Sequence, residues 1–135
     1  MNQHPYLRAY MAGIFVPTLF ILGGMVAFTL FRYVYNVPIP IERVIVFPLT
    51  IVPNLWGLWN VLHLLIGRRI PLGIFGGILP FLLVPGGYVL AHLVHFDIPS
   101  LIYHVIPFAF PVGVAIYYLL WKYAVASLNA IVGLP

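Results

Sequence analysis

The chain has 135 residues, of which 64% are hydrophobic and only 6% are charged. In a soluble domain about a quarter of the residues are charged, so this composition predicts that the chain is embedded in lipid. There are 6 Lys and Arg against 2 Asp and Glu and no cysteine, so disulfides and thiolate metal sites are excluded, and the absence of a basic run argues against nucleic-acid binding.

Four apolar segments are long enough to cross a bilayer, which takes about 20 mostly apolar residues in a helix. In chain order they cover roughly residues 10–31, 44–66, 72–96 and 101–121. The sequence therefore predicts an all-α integral membrane protein, a four-transmembrane-helix bundle that forms one membrane domain over residues 1–135. The apolar tail, residues 122–135, could extend the fourth helix, lie in the headgroup plane or dock on a partner.

The distribution of cations predicts the topology of these spans. With four spans, both termini and the middle loop share one side of the membrane. That side holds Arg8, Arg68, Arg69 and Lys122. The other side holds Arg32 and Arg43 together with both acids, Glu42 and Asp97. The bias predicts that both termini are cytoplasmic, in a bacterial inner membrane or another plasma membrane.

Prolines interrupt the predicted spans and suggest an internal duplication. They predict kinked helices at Pro17, Pro48, Pro53, Pro80, Pro85, Pro107 and Pro111. The segment VPTLFILGGMVA (16–27) matches LPFLLVPGGYVLA (79–91), and IPIERVIVFP (39–48) matches IPSLIYHVIP (98–107). These matches predict two tandem helical hairpins related as a parallel repeat.

The stretch AHLVHFDIPSLIYH, residues 91–104, is the first candidate site. His92 and His95 are three residues apart, as on one helix face, and His104 lies one turn into the next predicted helix, with Asp97 between. Imidazoles and a carboxylate suit zinc, copper or iron, and two axial imidazoles, His92 and His104 first among them, suit a b-type haem. In the favoured alternative these are polar residues at the headgroup level, and Asp97 caps the last helix.

The second candidate is a stripe on the second span, formed by Trp56, Asn60 and His63, with Trp59 at its edge. An amide and an imidazole on an apolar helix need hydrogen-bond partners. Another helix is the favoured partner, and a quinone head, a lipid head or a pigment is the alternative. A chlorophyll-type pigment needs one axial ligand, which His63 or any of the other span histidines could supply.

These features favour a non-catalytic function. We find no Ser/His/Asp group, no phosphate-binding glycine loop and no acid within a span, so an enzyme and a simple proton-coupled transporter are not expected. The short loops favour an accessory or scaffolding subunit, which would contact the lipid bilayer and other membrane subunits or copies of itself. The alternatives are a protein that binds haem, pigment or metal at the outer-face histidines, and a small homo-oligomeric channel or transporter lined by Thr50, Asn54, Asn60 and His63.

Overall fold

The computed structural model describes residues 3–38 and 41–134, with side chains described for all of these except residues 41–50. Over these residues the chain forms four long helices and no strand. Helix α1 is Pro5–Tyr33, α2 is Ile41–Leu65 and α3 is Leu72–Leu93. The fourth helix runs through Ser100–Ile131 and consists of α4 (Ser100–Leu119), a π-helical segment (Leu120–Val125) and α5 (Ala126–Ile131).

Three of these helices, α1, α3 and the fourth helix, are long and apolar enough to cross a membrane. The prediction of an all-helical chain with membrane-spanning helices is therefore confirmed. The second predicted span, 44–66, coincides with the backbone of α2. The side chains of Glu42, Arg43, Pro48 and Thr50, on which part of that prediction depends, lie outside the described residues.

The end of helix α3 differs from the predicted boundary because of the local backbone conformation. Helix α3 stops at Leu93, three residues before the predicted end, because His95 adopts a left-handed conformation with φ of 53°. The His95 amide then donates to the His92 carbonyl, and the Phe96 amide donates to the Ala91 carbonyl at 2.8 Å. This pair of bonds is the Schellman motif, which satisfies the last carbonyls of a helix.

The chain divides into two compact units. Unit 1 contains the residues up to Gly67 together with those from Ser127 onward, and unit 2 contains residues Arg68–Ala126. An antiparallel helix pair forms the core of each unit, α1 with α2 in unit 1 and α3 with the fourth helix in unit 2.

In unit 1, two glycines bring the backbones of α1 and α2 into contact. A Cβ atom added to Gly13 would lie 2.6 Å from the Trp56 carbonyl oxygen and 2.8 Å from the Gly57 Cα. A Cβ atom on Gly57 would in turn overlap the Tyr10 ring. Small residues that allow such an approach are the usual contact between membrane helices, because lipid supplies no hydrophobic force between them.

In unit 2, Gly76 plays the corresponding part. A Cβ atom on Gly76 would overlap the Trp121 indole, and Trp121 is fully buried against it. Trp121 lies in the π-helical segment, one turn of helix away from Tyr118, which covers Gly73 and Gly77. The core of unit 2 is therefore a glycine-lined face of α3 that receives aromatic side chains of the fourth helix.

The buried faces of α1 and α3 contain residues at equivalent positions of the two helices. Pro17 of α1 is equivalent to Pro80 of α3 in the sequence match. At this position and at three positions before it, the α1 residue and its α3 equivalent are both buried. The four pairs are Ala12 with Phe75, Gly13 with Gly76, Val16 with Leu79, and Pro17 with Pro80. Each helix therefore buries the face that precedes and includes its first interior proline.

Candidate functional site

The predicted stripe on α2 faces the interior of unit 1. The exposed fraction is 2% for Trp56 and Asn60 and 5% for His63, and Trp59 is half-buried. The close approach at Gly13 and Gly57 places this face of α2 directly against α1. A buried amide must exchange its water for protein partners, so the bonds of Asn60 decide what the stripe does.

Asn60 forms a reciprocal amide pair with Asn129. Its Nδ2 donates to Asn129 Oδ1 at 2.7 Å, and Asn129 Nδ2 donates back to Asn60 Oδ1 at 3.2 Å. The second proton of Asn60 Nδ2 goes to the backbone carbonyl of Ala9 in α1, also at 2.7 Å. We call Asn60, Asn129 and the Ala9 carbonyl the asparagine node. It joins three helical segments of unit 1, and its bonds are strengthened by the low dielectric of the interior.

Sequence reasoning missed Asn129, which lies in the apolar tail. The available signal was a lone amide among apolar residues, since such a group needs a partner wherever water is excluded. The structure extends the fourth helix through this tail to Ile131. Beyond the helix, the Arg8 guanidinium donates to the Val132 carbonyl at 3.1 Å, and Leu134 is buried after a turn at Gly133. From Ser127 onward, the tail is therefore part of unit 1.

Two of the predicted pore-lining residues, Asn54 and Asn60, form hydrogen bonds within the same unit. The Tyr10 hydroxyl of α1 donates to Asn54 Oδ1, which gives Asn54 a partner separate from the stripe. Asn60 is held in the asparagine node, and His63 is buried in the last turn of α2. Thr50 has its side chain outside the described residues. The amides of Asn54 and Asn60 thus bond to protein groups of unit 1.

The histidines predicted at the outer face differ in backbone conformation, as His92 and His95 show. His92 is exposed in the last turn of α3, and His95 is exposed in the left-handed position that ends the same helix. The prediction that His92 and His95 share one helix face is wrong, because the left-handed turn takes His95 out of the helix. Asp97 is exposed two residues before Pro99, which occupies the N-cap position, so Asp97 does not cap the last helix.

The described part of the chain contains no group of three or more His, Asp or Glu side chains that could hold a metal ion. The structure therefore does not bring His92, His95, Asp97 and His104 together as one ligand set. His104 is exposed, and its Nδ1 lies 2.9 Å from the Ser100 carbonyl oxygen. A carbonyl can only accept, so Nδ1 carries the proton in this bond, and Nε2 is the nitrogen left for a ligand.

Comparison of the chain with known protein families, with curated proteins and with solved structures finds no match. The class of the protein is thus defined by its own composition and structure. Helices α1, α3 and the fourth helix place it among the helical membrane proteins.

Proposed function

We propose that this protein is a non-catalytic subunit of a larger membrane complex, in which it scaffolds its partners through lateral helix contacts. The proposal takes α2 as the fourth span of a four-helix bundle. It places both termini in the cytoplasm of a bacterial inner membrane or another plasma membrane, following the cation bias of the sequence.

Two unoccupied glycine pairs carry the proposal. A Cβ atom added to Gly23 or Gly24 in α1, or to Gly86 or Gly87 in α3, would meet no described atom within 4 Å. A glycine destabilises a helix by about 1 kcal/mol relative to alanine, and in membrane helices its use is to let a second backbone come close. Glycine pairs without such a neighbour among the described residues are best explained by a helix from another chain.

The surroundings of these glycines are apolar and open. Within the described helix α1, none of residues 18–33 is buried, and Phe20 and Val26 beside the glycine pair are largely exposed. The α4 part of the fourth helix also has no buried residue among those described. The chain thus presents a wide lateral surface that lipid or partner helices could cover. The glycine pairs favour partner helices, because lipid does not require glycine.

Replacing both glycines of a pair with leucine tests this proposal. We expect Gly23→Leu with Gly24→Leu, and separately Gly86→Leu with Gly87→Leu, to lower partner retention about tenfold, the effect of losing roughly 1.4 kcal/mol of contact energy. The chain itself should fold, because the new side chains meet no described atom. The measurement is native mass spectrometry of the protein purified in mild detergent from its own membrane, with helix content followed by circular dichroism.

Ala115→Leu is the control, since Ala115 is exposed on the fourth helix and its substitution adds apolar volume to a lateral surface away from both pairs. It should retain the partners of the wild-type chain. A wild-type chain that leaves its membrane as a lone monomer would contradict the proposal. If the chain instead assembles with copies of itself through the glycine pairs, the proposed partner subunit is wrong and the pairs serve self-association.

A second candidate function is cofactor binding at the outer-face histidines, and the Nδ1 bond of His104 favours it. A histidine that ligates a metal through one ring nitrogen usually donates a hydrogen bond from its other ring N–H to a carbonyl or carboxylate, and this bond orients the ring. Under this hypothesis, His92→Phe and His104→Phe each abolish the absorption of a bound haem or pigment and leave the helix content unchanged. His95→Asn, which suits the left-handed backbone, should keep the colour. A colourless, metal-free wild-type preparation would exclude this function.

A further inference from the structure

Three cations gather at the end of unit 2 where α3 begins. Arg68 and Arg69 lie in the loop before α3 and are separated from its first residue by Ile70 and Pro71. Lys122 lies against the first turn of α3, because a Cβ atom on Gly73 would be 3.0 Å from the Lys122 Cβ. Arg69 and Lys122 are exposed. The only acid in the sequence of unit 2 is Asp97, which follows the opposite end of α3. The three charges are therefore not neutralised by a carboxylate of their own unit.

Two tyrosines hold the Lys122 ammonium at this end. Its Nζ lies 5.5 Å from the centre of the Tyr118 ring and 5.4 Å from that of the Tyr123 ring. Contacts with ring faces orient an ammonium group but leave its positive charge in place. Tyrosine is also enriched at the headgroup level of membranes, so this end of the unit has the composition of a membrane interface.

An apolar groove lies between α3 and the fourth helix, further from the cations. It encloses about 220 Å³ and is lined by residues from Pro80 to Val84 on α3 and from Ile106 to Tyr117 on the fourth helix. Apart from Tyr117, the lining side chains are apolar. Ala109 and Gly113, one helical turn apart, leave room in it, and a Cβ atom on Gly113 would meet no described neighbour within 4 Å.

The end of the groove nearest the cations lies at the depth of a lipid chain. At about 1.5 Å per residue, the groove on the fourth helix lies about 8 to 24 Å from Lys122 along the helix axis. The hydrocarbon of one leaflet is about 15 Å thick. An empty groove would lose the dispersion contacts of its lining, so an apolar chain is the natural occupant.

We propose that unit 2 holds one anionic phospholipid, with its phosphate at Arg68, Arg69 and Lys122 and one acyl chain in the groove between α3 and the fourth helix. Charge complementarity selects the headgroup, and the apolar lining selects the chain. The predicted topology places these cations at the cytoplasmic leaflet, which carries the anionic lipids. This site is separate from the glycine pairs, so it does not depend on the scaffolding function.

The headgroup part is tested on the full chain by native mass spectrometry, after titration with phosphatidylglycerol or with phosphatidylcholine of the same acyl chains. We expect the wild-type chain to retain one phosphatidylglycerol and to prefer it over phosphatidylcholine. Arg68→Gln, Arg69→Gln and Lys122→Gln should each lower phosphatidylglycerol retention about fivefold, because one cation near a membrane surface contributes about that factor. Phosphatidylcholine retention should stay unchanged.

Arg32→Gln is the matched control, since it removes an equal charge from the last turn of α1, outside unit 2. Equal retention of both lipids by the wild-type chain would overturn the proposal, as would a loss in Arg32→Gln as large as in Lys122→Gln. Competition by inorganic phosphate without a lipid chain would show a free-anion site instead and would also overturn it.

The chain part is tested by filling the groove. Gly113→Leu should lower the retention of both lipids and keep the preference for phosphatidylglycerol. Ala109→Leu is a second variant with the same expected effect, for use if the helix content of Gly113→Leu is reduced. Unchanged lipid retention in a folded variant of either kind would overturn the assignment of the acyl chain to this groove.

Discussion

Asn60 and Asn129 show how a buried polar residue in a membrane protein depends on its partner. Each amide is less than 5% exposed, and each supplies the other with a donor and an acceptor. If one amide is removed, the other keeps the full cost of its desolvation without its hydrogen bonds. The two side chains should therefore be energetically coupled.

A double-mutant cycle tests this coupling. We expect Asn60→Leu to lower the free energy of unfolding by about 1–3 kcal/mol, and Asn60→Leu with Asn129→Leu to recover part of the loss because no amide is then left without a partner. Reversible unfolding in detergent, followed by circular dichroism, measures both. Asn54→Leu is the control on the same helix, where an exposed amide is lost and the expected change is below about 1 kcal/mol. A loss in Asn60→Leu no larger than in Asn54→Leu would contradict the node.

The need of Asn60 for a partner could be predicted from its position on an apolar helix, but the partner could not. Asn129 is 69 residues away in the sequence, and its own segment offered three environments that the composition did not separate. Likewise, His92 and His95 have the spacing of one helix face, and only the backbone conformation at His95 shows that the helix has already ended.

At the scale of the helices, glycines of the same type have opposite roles. Gly76 faces the buried Trp121, whereas Gly86, ten residues further along α3, has open space where a Cβ atom would be. The sequence match drew attention to glycines with open space around them, such as Gly86, because its two segments share a glycine pair. The first kind forms the core. Gly13 is a single glycine without such a signal, whereas Gly76 is itself paired with Gly77, so pairing in the sequence does not separate the two roles.

Alanine substitution of these two glycines separates the roles. Gly76→Ala should lower the free energy of unfolding by about 1–3 kcal/mol, because the added methyl group overlaps the Trp121 indole and forces the helices apart. Gly86→Ala should raise it by up to about 1 kcal/mol, the gain in helix propensity, when the chain is measured without partners. Thermal or denaturant unfolding in detergent compares the two, and an equal rise for both would show that Trp121 does not pack on Gly76.

For the whole molecule, composition decides the solvent and the tertiary structure decides where the polar groups go. The channel alternative needs polar side chains along an open path, and the amides of Asn54 and Asn60 instead bond to groups of unit 1. The fourth helix contributes to both compact units, since its residues belong to unit 2 as far as Ala126 and to unit 1 from Ser127. The π-helical segment Leu120–Val125 ends two residues before Ser127, where that change occurs.

The sequence by itself determined the helical class and the approximate positions of the long helices, three of which are apolar enough to cross a membrane, because these depend on composition and on the apolar length of single segments. Only the tertiary structure decided which amides pair, which glycines pack and where the tail goes. Those outcomes depend on residues 44 to 124 positions apart meeting in space, and in a uniformly apolar chain many such meetings are compatible with the same pattern. The pairing of Asn60 with Asn129 is therefore a property of the packed helices and not of either segment alone.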